Sequence, residues 1–160
     1  MQFGGRYRLG APRQAVWRAL NDAEILKRTI PGCTRIDWVG ENAMEAVIAV
    51  DFGVIKPTFT GGFEMTDVVP AESWTLSGQG KGGLLGLAHG SADVALADDG
   101  EASILAFTAT AGASNAIMKL GRALIGNAAQ RVIDHFLLRF AQAMGASCEV
   151  LPREPTSGSP

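Results

Sequence analysis

Residues 114–145 read SNAIMKLGRALIGNAAQRVIDHFLLRFAQAMG. Ile117, Leu120, Leu124, Ala128, Val132, Phe136, Phe140 and Met144 recur at intervals of three and four, the period of a helix with one apolar face. Ser114 or Asn115 offers an N-cap and Gly145 a stop. The stretch therefore predicts a single helix of about thirty residues, roughly 45 Å long at 1.5 Å per residue. Gly121 and Gly126 fall inside it, each costing about 1 kcal/mol relative to Ala. A helix that accepts this twice needs either close backbone approach or open space beside it.

Upstream, from residue 34 to 112, the period changes to two. Met44, Ala46, Ile48 and Val50 alternate with Glu45 and Asp51; Phe59, Gly61, Phe63 and Met65 alternate with Thr58, Thr60 and Glu64; Trp74, Leu76 and Gly78 alternate with Thr75, Ser77 and Gln79. Ala92, Val94 and Leu96 flank Asp93, and Leu105, Phe107 and Ala109 follow. Breaks at Gly40-Glu41-Asn42, Gly53, Pro70-Ala71 and Asp98-Asp99-Gly100 have hairpin chemistry. About six strands in a row result, each with one polar and one apolar face, as a one-sided antiparallel sheet requires. At the start of the chain, residues 2–10 read as a further strand, Pro12 opens a short helix to residue 21, and Asp22 caps a second that Ile30-Pro31-Gly32-Cys33 ends. The expected architecture is α+β: a curved antiparallel sheet of about seven strands wrapped around a long C-terminal helix, with two short helices after the first strand closing one end. Space between sheet and helix is the usual setting for an apolar ligand.

The chain has 160 residues, two Cys and a formal charge of −2. That length suits one domain with a core that needs no staples. Residues 1–147 are expected to form it, and 148–160 a polar, Pro/Ser-rich, disordered tail. The balance of charge excludes a generally basic nucleic-acid binder. The start, Met1 to Arg6, has no apolar leader, no stretch is apolar for eighteen residues, and two Cys make no disulfide framework. A cytoplasmic domain is the expectation. Charge is uneven: residues 1–36 carry seven basic and two acidic side chains, 37–102 two basic and eleven acidic, and 114–144 four basic and one acidic. Arg13, Arg18, Lys27, Arg28 and part of the long helix could form a basic side for a membrane or partner.

No catalytic or metal site stands out. Gly78-Gln79-Gly80-Lys81-Gly82-Gly83 matches G-x-G-x-x-G, but strands flank it on both sides and no Ser or Thr follows Lys81. A glycine-rich hairpin that permits sharp curvature is the better account. His89 and His135, the only histidines, have no metal-ligand spacing, and His89 shares the outward parity of Ser91 and Asp93. Cys33 reads as an inert thiol, and most carboxylates lie on the polar phase of strands.

The sequence resembles CoxG, the accessory-protein family of carbon monoxide dehydrogenase. The similarity runs through Gly5 to Leu9, Ala11-Pro12, Val16-Trp17, Ala19-Leu20-Asn21-Asp22, Leu26, Ile30-Pro31-Gly32-Cys33, Phe59-Thr60-Gly61, Leu76 to Gly83, Gly86 and Gly90-Ser91-Ala92. It continues through Leu120-Gly121-Arg122, Leu124-Ile125-Gly126 and Phe136-Leu137 to Phe140. The resemblance implies a START-like, helix-grip (SRPBCC) fold and a non-catalytic accessory protein. It implies recruitment of a molybdenum hydroxylase of the carbon monoxide dehydrogenase type to the cytoplasmic membrane, with peripheral contact at its inner face, and a quinone or other isoprenoid or lipid in the cavity. Many family members continue into a linker and an anchoring segment, whereas this sequence ends at Pro160 after a short polar tail; membrane contact is then expected from the folded domain. The expected cavity lining is Phe59, Phe63, Trp74, Leu76, Leu87, Phe107, Ile117, Leu120, Gly121 and Leu124. Two alternatives remain: a cyclase- or hydratase-like enzyme on the same fold, which needs a titratable group facing the cavity, and a recruitment module that binds no ligand.

Overall fold

The computed structural model describes residues 1–152; the expected disorder of the Pro/Ser-rich stretch from 153 onward lies outside the described residues. The elements in chain order are β1 (Gln2–Leu9), α1 (Arg13–Leu20), α2 (Ala23–Thr29), β2 (Cys33–Trp38), β3 (Ala43–Ala49), β4 (Thr58–Val69), β5 (Ser73–Lys81), β6 (Leu87–Asp99), β7 (Ala102–Ala113), α3 (Asn115–Met118), α4 (Arg122–Ala143) and β8 (Cys148–Leu151). One antiparallel sheet runs in the order β2-β3-β4-β5-β6-β7-β1-β8. The α+β reading and the six-strand run stand.

Two boundaries differ from the expectation. Residues 148–151 are not tail: they form an eighth strand that pairs with β1, Leu9 opposite Cys148 and Arg6 opposite Leu151. The segment is too short and too polar to announce itself, and it forms because the free edge of β1 offers unpaired backbone groups. The predicted single helix is broken. Ser114 caps α3, accepting from Ile117 N at 3.3 Å, but the turn ends at Lys119–Gly121, and α4 restarts with Gly121 at φ +92° as its N-cap. That φ suits glycine, so Gly121 marks a break rather than a tolerated helix interior. The 22 residues of α4 span about 33 Å.

The short helices fold as their caps dictate. Asp22 accepts from the backbone N–H of Glu24 at 3.0 Å and of Ile25 at 3.3 Å, satisfying two donors of the first turn of α2. Val16 and Ala19 of α1 are buried against the core. Arg13 ties α1 to two turns of the sheet: Nε lies 2.8 Å from Asp98 and Nη1 donates to the Ala71 carbonyl at 3.2 Å.

The core sits at this end. Tyr7, Leu9, Val16, Trp74, Leu96, Leu105, Leu137 and Phe140 form one buried cluster. Trp17 tilts on Trp74 with ring centroids 4.6 Å apart, and Phe107 stacks on Tyr7 at 6.4 Å. The grip on α4 is polar at one point. The buried Tyr7 hydroxyl donates to Asp134 Oδ1 at 2.9 Å, and Gln130 Nε2 donates to the same oxygen at 2.9 Å. Burial first, then the bond and charge of Asp134, push the Tyr7 phenol up to about 12.

Sheet curvature has a local cause. A Cβ on Gly61 would lie 2.0 Å from the Gln79 carbonyl oxygen of the neighbouring strand, so only glycine allows the strands to bend together there. Gly126, inside α4, meets nothing closer than Met1 Cε at 3.9 Å, so close backbone approach is not its reason.

Opposite effects are therefore expected from the two glycines. Gly61→Ala should lower stability by about 1–3 kcal/mol, as overpacking does. Gly126→Ala should raise it by about 0.5–1 kcal/mol through helix propensity. Urea unfolding midpoints check both. Tyr7 is the chain's single tyrosine, so absorbance at 295 nm reads its ionisation directly. A midpoint near 12 in the folded protein against about 10 in the unfolded chain is expected. The folded state then holds the proton more tightly, so the Tyr7 contribution is complete below about pH 10 and is lost as pH rises toward 12; Tyr7→Phe should lack that loss.

Candidate functional site: a hollow between sheet and helix

Strand register sorts inward side chains by size. At the filled end, Leu96 faces Leu105 and Leu105 faces Tyr7; in the next inward row Trp74 faces Val94 and Val94 faces Phe107. Toward the other end the rows shrink. Phe63 is followed across the sheet by Gly78, Gly90 and Ala111, and the last row reads Ala46, Gly61, Gly80, Ala88 and Ala113. Side chains this small cannot reach α4, so a hollow of about 490 Å³ opens above them, within the range of small-molecule sites.

Its floor is the Gly and Ala patch of β4–β7. Its walls are Phe3 of β1, Ile48 of β3, Phe59 and Phe63 of β4 and Leu76 of β5, with Val50 and Phe52 from the β3–β4 loop. Its roof is Ile117 and Met118 of α3 and Ile125, Ala129, Val132 and Ile133 of α4. The lining contains no Asp, Glu, Lys, Arg, Cys or Tyr. His89 touches it through backbone alone: a Cβ on Gly112 would lie 2.7 Å from the His89 ring, and Gly112 sits opposite His89 on the outer face of the sheet. An apolar wall without proton-transferring groups can hold an apolar molecule; it cannot shuttle protons.

Of the expected lining residues, Phe59, Phe63, Leu76 and Ile117 come together here. The other six do not. Trp74 is core, packed on Trp17, and Phe107 is stacked on Tyr7; both lie at the filled end. Leu87 starts β6 on its outer face, 47% exposed, beside a second depression of about 480 Å³ that includes Arg35, Glu45, Thr60 and Lys81. This outer groove and the hollow share the backbone of Gly61, Gly62 and Gly80, where the sheet has no side chains to thicken it. Leu120 and Gly121 belong to the break before α4, and the break resets the helical phase, so that Ile125 rather than Leu124 points at the hollow. The floor residues were missed because small side chains carry little hydrophobic signal, although Ala88, Gly90 and Ala92 do alternate with polar neighbours.

Cys33 and Cys148 are half-buried, and burial pushes both thiols up, away from reactive thiolate. Among the described residues no group of His, Cys, Asp or Glu is placed to hold a metal ion, and no helix is long and apolar enough to cross a membrane.

Several solved structures share this architecture. A conserved protein from Geobacillus kaustophilus superposes with a TM-score of 0.82 at 23% identity, over 93% of this chain and 99% of that one. The Zhui aromatase/cyclase from Streptomyces sp. R1128 gives 0.67 at 16% identity, over 91% and 93%. A protein from Thermus thermophilus gives 0.65 at 16%, over 89% and 95%. At these identities the likeness establishes the helix-grip fold alone. No curated protein matches the sequence significantly. The CoxG profile of carbon monoxide dehydrogenase, however, matches residues 5–145, from the first strand through the end of the gripped helix. The chain belongs to the CoxG family of carbon monoxide dehydrogenase.

Proposed function

We propose that the protein is a non-catalytic accessory carrier that holds an isoprenoid molecule, a quinone above all, in the hollow between sheet and helix. In this reading it serves a molybdenum hydroxylase of the carbon monoxide dehydrogenase type at the cytoplasmic membrane. The observation that carries the ligand is the hollow itself: about 490 Å³ without a charged side chain in its lining, left open by four strands of Gly and Ala. Each buried CH₂ of an isoprenoid tail gains about 0.8 kcal/mol there. The partner class rests on family membership.

A cyclase-like enzyme on the same fold is less well supported. It would need an acid or base facing the cavity. The half-buried carboxylate nearest to that description, Asp134, is engaged by Tyr7 and Gln130, and none of the three lines the hollow.

Organic extraction of freshly purified protein, followed by mass spectrometry and an ultraviolet scan, should yield a quinone or isoprenoid in stoichiometric amount. Protein stripped of it should take up decylubiquinone saturably. Ala111→Phe, which fills the floor, should weaken that uptake by at least about tenfold, the loss of one well-packed contact region. An empty extract together with no uptake would leave recruitment by surface contacts alone.

A further inference from the structure

The end of the sheet that holds the hollow differs from the opposite end in surface chemistry. β3, β5 and β7 finish there, and β1, β4 and β6 begin there, so the loops 50–57, 82–86 and 114–121 are neighbours. Hydrogen bonds fix them. Ser114 N donates to the Leu87 carbonyl at 2.8 Å, Phe52 N to that of Ile55 at 2.9 Å, and Arg131 of α4 to the Asp51 carbonyl at 3.1 Å. The two most exposed large apolar side chains of the described residues sit on these loops, Leu84 at 103% and Val54 at 71%, with Ile55 beside Val54 at 39%.

One exposed leucine calls for no explanation, but an apolar cluster on a charged rim marks an interaction site. Lys56, Lys81, Lys119 and Arg122 are all exposed around these tips, and none forms an ion pair among the described residues. Asp51 is the single carboxylate of the three loops. The opposite end is acidic, with Glu41, Glu72, Asp98, Asp99 and Glu101 in its turns. The cations near it are engaged: Arg8 pairs with Asp99 at 2.7 Å, and Arg13 pairs with Asp98 at 2.8 Å. The basic face that the sequence suggested around Arg13 is thus partly neutralised, and the unpaired positive charge lies at the other pole.

We propose that this loop end is a docking surface for an anionic lipid bilayer. Leu84, Val54 and Ile55 enter the boundary between headgroups and acyl chains, and Lys56, Lys81, Lys119 and Arg122 meet anionic headgroups. The hollow's loop-side lining (Val50, Phe52, Phe59, Ala88 and Met118) then lies next to the membrane, so an apolar cargo passes between bilayer and hollow without crossing water. The cargo step rests on the proposed function; the docking does not.

The test is co-sedimentation of the full chain with vesicles of phosphatidylcholine alone or mixed with phosphatidylglycerol. Binding to the mixed vesicles, weakening as salt rises, is expected. Leu84→Asp should lower it by about tenfold, and Lys119→Gln by about fivefold. Val69→Asp, an equally solvent-facing change at the acidic end, should leave it unchanged. Wild-type protein that ignores mixed vesicles, or Leu84→Asp protein that binds them as well as wild type, overturns the proposal. So does a Leu84→Asp defect seen only in association with a protein partner. Decylubiquinone uptake in solution separates the two claims. Protein that takes up the quinone but ignores vesicles loses the docking surface and keeps the carrier reading. Protein that binds vesicles through Leu84 but takes up nothing keeps the docking surface and loses the carrier reading.

Discussion

The structure depends on which inward side chains the antiparallel register sets side by side. Because β4 to β7 pair without a break across their inner ends, Gly61, Gly80, Ala88 and Ala113 fall in one row, and Gly78, Gly90 and Ala111 in the next. Side chains stand perpendicular to the sheet, so a row of glycine and alanine lowers the floor by the length of a large side chain. A register slip of one residue would turn every inward residue to solvent. The filled core and the hollow are therefore products of one pairing, not separate features.

The helix above the sheet works in two halves that match the two ends. Leu137, Phe140 and Ala141 are buried in the main cluster, and Tyr7 with Gln130 fixes Asp134 between them and the hollow. Further toward its N-terminus the helix presents Ile125, Ala129 and Val132 to open space. Tight packing holds α4 at one end, which lets the other end stand off the sheet without collapsing onto it. The break at Lys119–Gly121 lets α3 turn and set Ile117 and Met118 over the loop-side end of the hollow.

Much of this was legible because the signals were local. Period two from Met44 to Ala109 and period 3.6 from Arg122 to Met144 named the elements, Asp22 named a cap, and the parity of His89 named its face. Phe59, Phe63 and Leu76 were placed at the hollow by the same parity. Parity says which face a side chain takes, however, and not how far along the strand the core extends. Trp74 and Phe107 obey the pattern as well as Phe63 does, yet they lie in the filled half. Leu87 has the right hydrophobicity and the wrong face, because the register of β6 sets Ala88 inward.

Sequence alone determined the α+β class, the order of sheet and helix, the family and the scarcity of acids and bases on inward positions, since each follows from residue type and spacing along the chain. Only the tertiary structure decided where the hollow lies, which helical residues roof it, that β8 closes the edge of β1, and that apolar loop tips and unpaired cations share one pole. Those are relations between residues far apart in the chain, set by strand register and by a helix break whose phase no single segment records.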